Sequence, residues 1–294
     1  MLYRIRHVTE YSYPARVSSC YNVARVCPRD TDRQSLIRHH VYVNPYPATI
    51  NRREDYFGNL AYHFDIQKPH QDLTITAESD VDVPEGQPYL ELDLGMSVAE
   101  AREAYLYSNA PDVLCAREFL LDSPMIRRDS TLAEYARPSF DDNRPLNAAV
   151  RELTGRIFDE FTFDPSFTTV ATPLSEVLAH RRGVCQDFAH LQIACLRSLG
   201  IPARYVSGYL ETLPPPGQKK MVGADATHAW ISCFSPQEGW LEFDPTNNTM
   251  ANHQHIVTAY GRDFFDVTPI KGVIYGGGDI PGLRVSVDVQ RLSD

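Results

Sequence analysis

Alternation with a period of two dominates the first 83 positions. Tyr3, Ile5, His7, Tyr11 and Tyr13 fall on one side, while Arg4, Arg6, Glu10 and Ser12 fall on the other, the spacing of half-buried strands. The same writing returns at Leu36 to Val43, at Leu60, Tyr62, Phe64 and Ile66 after the turn pair Gly58-Asn59, and at Leu73, Ile75, Ala77, Val81 and Val83. The pattern predicts an antiparallel β domain over residues 1–95, made of two small packed sheets. Residues 84–95, with Pro84, Gly86, Pro88 and Gly95, read as a connector. Ser97 and Glu100 then form a capping-box signature, where the period changes to that of helices.

Helices are predicted over about 98–108, 111–121, 130–136 and 145–160, with Thr172-Pro173 opening another to about 180. Past Gly183, the residues Phe188, Leu191, Cys195 and Leu199 share one helical face, and Gly200 with Pro202 supplies the stop. Cys185 falls at that helix's N-terminus. Ala203–Leu210, Ala226–Phe234 and Trp240–Asp244 read as strands, the last two joined by the turn-rich segment 235–239, and a final strand alternates Leu283, Val285, Val287 and Val289. Pro214-Pro215-Pro216-Gly217 reads as a short exposed loop, and Gly276-Gly277-Gly278 as a turn that lacks the Lys-Ser or Lys-Thr of a phosphate loop. The fold class is therefore α+β, with residues 96–294 forming a second, helix-rich unit closed by C-terminal strands.

With 294 residues, 43% apolar and 22% charged, the chain has the composition of a globular protein. A balance of 28 basic against 38 acidic residues, net −10, without a long basic run, speaks against nucleic acid as a partner. No apolar stretch suits a membrane span, and Arg4, Arg6, His7 and Glu10 stand where a secretory leader would be apolar, so the expected location is cytoplasmic. The six cysteines show no CxxC pair, which argues against a zinc ribbon and a disulfide scaffold. His253 and His255 form a His-x-His pair with no third ligand apparent, so no metal and no cofactor are expected.

Cys185 differs from the other cysteines because free N–H groups and the dipole at a helix N-terminus favour a thiolate. A thiol nucleophile also needs a base, and the base needs a partner that orients it. If the hairpin closes so that Ser232 pairs with Trp240, His228 lies directly opposite Asp244, which brings an imidazole and a carboxylate together. Asp187, in the first turn of the Cys185 helix, reads as structural, and His190 as a packing residue. Trp230 shares a face with His228 and could shield the site; Tyr205 is a weaker candidate for contact with substrate. Glu54 and Asp55 read as a turn feature.

Four blocks carry a family likeness: Arg182-Gly183-Val184-Cys185-Gln186-Asp187-Phe188-Ala189, Gly200-Ile201-Pro202-Ala203-Arg204-Tyr205-Val206-Ser207-Gly208-Tyr209, Ala226-Thr227-His228-Ala229-Trp230 and Phe243-Asp244-Pro245-Thr246. In this order they resemble the transglutaminase-like superfamily in its bacterial cysteine-protease branch, and Asp55-Tyr56-Phe57-Gly58-Asn59 resembles the β domain that precedes the core there. The resemblance implies a papain-like core with Cys185 as nucleophile, His228 as general base and acid, and Asp244 as the orienting residue. It implies acyl transfer through a thioester on a peptide or protein substrate, as a peptidase or amidase. The alternatives are protein-glutamine transfer to an amine and a peptide-binding module that kept the fold without its chemistry. Transglutaminases proper use an upstream tryptophan, whereas this chain has only Trp230 and Trp240, both downstream.

Overall fold

The computed structural model describes residues 1–85, 91–169, 172–212 and 226–292; the Pro-Pro-Pro-Gly loop and part of the 84–95 connector lie outside them. The first unit holds β1 (Leu2–Ala24), β2 (Ser35–Asn44), β3 (Thr49–Glu54), β4 (Leu60–Ile66) and β5 (His70–Asp82). Helices α1 (Val98–Tyr107), α2 (Pro111–Ala116, followed by a 3-10 turn at Arg117–Leu120), α3 (Ser130–Ala136) and α4 (Leu146–Glu160) come next. Then follow β6 (Thr162–Phe163), α5 (Leu174–His180), β7 (Arg182–Gly183), α6 (Cys185–Ser198), β8 (Ala203–Leu210), β9 (Ala226–Ser235), β10 (Gly239–Asp244) and β11 (Thr249–Met250). The chain ends with β12 (His255–Gly261), α7 (Phe264–Val267), β13 (Ile270–Gly276) and β14 (Gly282–Arg291).

The expected two packed sheets are one. β1 is 23 residues long and exchanges partners along its length: its first half lies between β5 and β14, its second between β4 and β13. Register shifts around Ser12–Val17 and Val17–Ser19 mark the exchange, where Pro14 has no N–H to give to a ladder. The closing strands also depart from expectation. β13 and β14, placed by sequence order with the second unit, pair with β1 and complete the N-terminal sheet. The alternation at Leu283–Val289 fits any half-buried sheet, so it could not name the partner. Gly276, Gly277 and Gly278, all at positive φ, turn one into the other.

The second unit is built around α6. Residues Asp187–Arg197 of this helix are all buried, among α3, α4 and α5 on one side and a five-stranded antiparallel sheet on the other, in the order β11-β10-β9-β8-β12. Its C-terminal stop is as expected, with Gly200 at φ +77. Ser97 caps α1 as the sequence indicates: its side chain accepts from the Glu100 N–H while the Glu100 carboxylate accepts from the Ser97 N–H at 2.8 Å. The core sheet meets the N-terminal sheet through a shared apolar cluster of Tyr3, Ile5, Val81, Tyr209, Ile256, Val287 and Val289. Among the described residues no helix is long and apolar enough to cross a membrane.

Candidate active site

Cys185 is the first residue of α6, so its N–H has no carbonyl of its own helix to bond. Asp187 holds this terminus in shape. Its Oδ2 accepts from the Val184 N–H at 2.8 Å and from the Thr168 hydroxyl at 2.7 Å, and burial raises its pKa against these bonds. Gly183 matters for the room it leaves: a Cβ there would sit 2.8 Å from Cβ and 2.9 Å from Oδ2 of Asp187. A side chain at 183 would drive the carboxylate off the helix end. Cys185 is half-buried, whereas Cys20, Cys27, Cys195 and Cys233 are buried; burial pushes the Cys27 and Cys195 thiols up to about 12. Cys115 is exposed on α2.

The hairpin closes two residues away from the expected register, with Trp240 opposite Phe234 and Phe243 opposite Ile231. The segment 235–239 makes a tighter connection than the Ser232–Trp240 pairing supposed, so His228 and Asp244 become diagonal neighbours. They still meet, Nε2 to Oδ2, at 2.8 Å. A carboxylate can only accept, so Nε2 carries the proton and Nδ1 is left for the thiol. Burial would strip the charge from His228, but hydrogen bonds to Asp244 and Cys185, together with the negative charge of Asp244, outweigh it and hold the ring well above the ordinary histidine range. Burial likewise opposes charge on Asp244, and hydrogen bonds from His228 and His255 reverse the balance, keeping it well below the usual carboxylate range. The pair is ionic in a site from which water is largely excluded.

The carboxylate has more partners than the sequence suggested. Its Oδ2 also accepts from Asn247 Nδ2 at 2.7 Å and from His255 Nε2 at 3.1 Å, while Oδ1 accepts the backbone N–H groups of Thr246 and Asn247. The His-x-His pair is thus split: His255 turns inward to Asp244, and His253 lies 3.4 Å from the Arg291 guanidinium. His228, Asp244 and His255 place two ring nitrogens and one carboxylate oxygen within 4.8 Å of one another, a donor set that could hold a divalent cation. Here each of these atoms is already satisfied by hydrogen bonds. No local signal tied His255 to Asp244, because the loop after Asp244 and the strand order bring it in.

Trp230 and Tyr205 are closed off, with 0% and 2% exposure, so neither has surface to present to a substrate. Trp230 stacks near His228, with ring centroids 5.9 Å apart, and donates its indole N–H to Glu242 at 2.9 Å. It lies across β8 at Gly208, where a Cβ would stand 2.5 Å from the indole and 2.1 Å from the Ile256 carbonyl oxygen. Tyr205 packs on His190, whose Nε2 accepts from the Phe264 N–H at 3.1 Å; His190 is the packing residue expected. Asp55 is a turn residue, accepting from the N–H groups of Phe57 and Asn59.

A cavity of about 770 Å³ lies between the two units, lined by Arg29, Arg33, Arg204, Glu242 and His255 among others; neither Cys185 nor His228 lines it.

Residues 3–82 match the family model of the bacterial transglutaminase-like N-terminal region, and residues 133–245 that of the transglutaminase-like superfamily. An uncharacterized protein of Mycobacterium tuberculosis is 43% identical over 291 residues, covering 98% of this chain and 92% of that protein. The protein-glutamine gamma-glutamyltransferase of Pseudomonas aeruginosa is 30% identical over 159 residues, covering 50% of this chain and 24% of that one. A crystal structure from Cytophaga hutchinsonii, described as a "putative cysteine protease", has the same fold: TM-score 0.73 and 21% identity, over 100% of this chain and 92% of that one. With both of its units matched, this chain belongs to the transglutaminase-like superfamily.

Proposed function

We propose that the protein is a cysteine-dependent acyl-transfer enzyme, a peptidase or amidase that opens peptide or isopeptide amides of a peptide or protein substrate through a thioester on Cys185. The observation that carries this reading is the His228 ring held between an anionic carboxylate and a half-exposed thiol at a helix N-terminus. The proton of the Cys185 thiol rests on His228 Nδ1, and Asp244 stabilises the imidazolium so formed. The Cys185 sulfur attacks the amide carbonyl, and the free N–H of the first turn of α6 faces the oxyanion. As the C–N bond breaks, the imidazolium gives its proton to the leaving amine. Water then attacks the thioester, losing a proton to His228, and releases the carboxylate and the thiol.

An amine in place of water would make the same site a transferase. The likeness to the Pseudomonas aeruginosa enzyme over half of this chain favours that second reading; the missing upstream tryptophan speaks against it. A glutamine peptide offered with and without a primary amine separates the two, since transfer incorporates the amine and hydrolysis releases ammonia alone.

Thiol chemistry itself is tested without a substrate. Iodoacetamide at pH 6 should modify Cys185 at least about tenfold faster than the exposed Cys115, and His228→Ala should remove the difference while leaving the far-ultraviolet spectrum unchanged. Equal, slow reaction of the two thiols in the wild-type protein would leave only a peptide-binding module.

A further inference from the structure

A carboxylate that orients one imidazole needs one acceptor oxygen for it; Asp244 offers the same Oδ2 to two. His255 is 5% exposed, and its Nδ1 is fixed by Asn252, whose backbone N–H and side-chain oxygen both lie 3.2 Å away. Its Nε2–H therefore has one direction to point, toward Asp244. With Oδ1 held by two backbone amides, this donor and Asn247 stop the carboxylate from rotating away from His228.

The strand that carries His255 is the outer strand of the core sheet, and no other strand pairs with its free edge among the described residues. Side-chain amides of the N-terminal unit take that place. Gln34 accepts from the Val257 N–H at 2.8 Å and donates to the Val257 carbonyl at 2.8 Å; Asn59 accepts from the Tyr260 N–H at 2.8 Å and donates to the Tyr260 carbonyl at 2.7 Å. Each amide imitates one residue of an adjacent strand. Asn59 is in turn anchored by Asp55, which accepts from its backbone N–H at 3.0 Å and its side-chain amide at 3.2 Å. Arg33 adds a bond to the Ala251 carbonyl at 2.8 Å, just ahead of the strand.

We propose that His255 is a positioning residue of the Cys185–His228–Asp244 set, aligned on Asp244 by the hold that Gln34 and Asn59 of the N-terminal β unit keep on β12. This rests on the thiol chemistry proposed above and assigns the N-terminal unit a part in it. His255 touches no reacting atom; it acts through the carboxylate.

Two polar substitutions of different reach test it. In His255→Gln the amide nitrogen can occupy the place of Nε2 and donate to Asp244, whereas in His255→Asn it corresponds to Nδ1 and falls short by more than a hydrogen bond can span. The rate of Cys185 alkylation by iodoacetamide at pH 6, read by peptide mapping with Cys115 as the internal standard, should fall about tenfold or more in the Asn variant and stay within about threefold of wild type in the Gln variant. Both variants bury a polar amide at the same position, so a merely structural role would move them together. Equal rates in the two, both fast or both slow, overturn the proposal. A wild-type Cys185 no faster than Cys115 would be a different failure, that of the thiol reading itself, and this inference would fall with it.

Discussion

Every residue of β12 in the core sheet is buried, whereas β3 in the N-terminal sheet is exposed along its whole length. Both sheets are antiparallel and both carry period-two strands, so the contrast comes from what covers them. The core sheet is packed against both α6 and the N-terminal unit; the N-terminal sheet leaves Tyr21, Tyr42, Val273 and Tyr275 open to water. Charge behaves accordingly. Burial pushes the core's Arg197 and Arg204 down to about 10, while Arg4 on the open sheet is raised by its hydrogen bond to Asp80. An imidazolium–carboxylate pair is strong only in the first kind of setting, because water screens and competes for it in the second.

Acid should break the comparison with the largest effect. Burial pushes His7 and His39 down to about 4 and His190 to about 3, so all three are neutral in the fold and protonated in the unfolded chain below its ordinary pKa near 6.5. The unfolded state then binds more protons. Stability is fully present above about pH 6.5 and falls as pH drops, by up to about 1.4 kcal/mol per unit for each histidine. The shares of His7 and His39 end near pH 4, and that of His190 in the core continues to about pH 3. Urea midpoints between pH 7 and 4 check this, and a flat profile would contradict the buried, neutral assignment.

Next in size is Gly208→Ala, whose Cβ would meet the Ile256 carbonyl and the Trp230 ring and should cost about 3 kcal/mol or more. An unchanged denaturation midpoint would show that the core sheet has slack. Gln34→Leu, which leaves the Val257 N–H without its side-chain acceptor, should cost about 2 kcal/mol in the same measurement. Arg53→Ala, on exposed β3, should stay within about 0.5 kcal/mol.

Much of the site was legible because its parts are local. Gly183 to Leu199 writes a helix start, a face and a stop, and the 226–244 hairpin carries its histidine and aspartate close enough that a register error of two residues did not separate them. What escaped depends on distant partners. Alternation at Leu283–Val289 identifies a strand but not the strand beside it, and β1 lies more than two hundred residues away in sequence. His255 stood only as half of a His-x-His pair without a third ligand, because the loop that folds it onto Asp244 has no periodic signal. Gln34 is a single polar residue in a turn-rich stretch, and Asn59 looked like a turn residue; only the edge of β12 shows why each must be an amide.

β1 and β14 lie side by side, and the Leu292 N–H bonds to the Leu2 carbonyl at 2.9 Å. On the ribosome β1 (Leu2–Ala24) is made well before its neighbour β14 (Gly282–Arg291), an interval on the order of tens of seconds at ordinary elongation rates. During that wait one flank of the longest strand is a bare ladder of donors and acceptors, open to the same flank of another nascent copy. The thiol helix and its hairpin, all made in between, can assemble in that time, so an arrest of translation just ahead of β14 would release a chain with that helix and hairpin in place and its sheet unfinished.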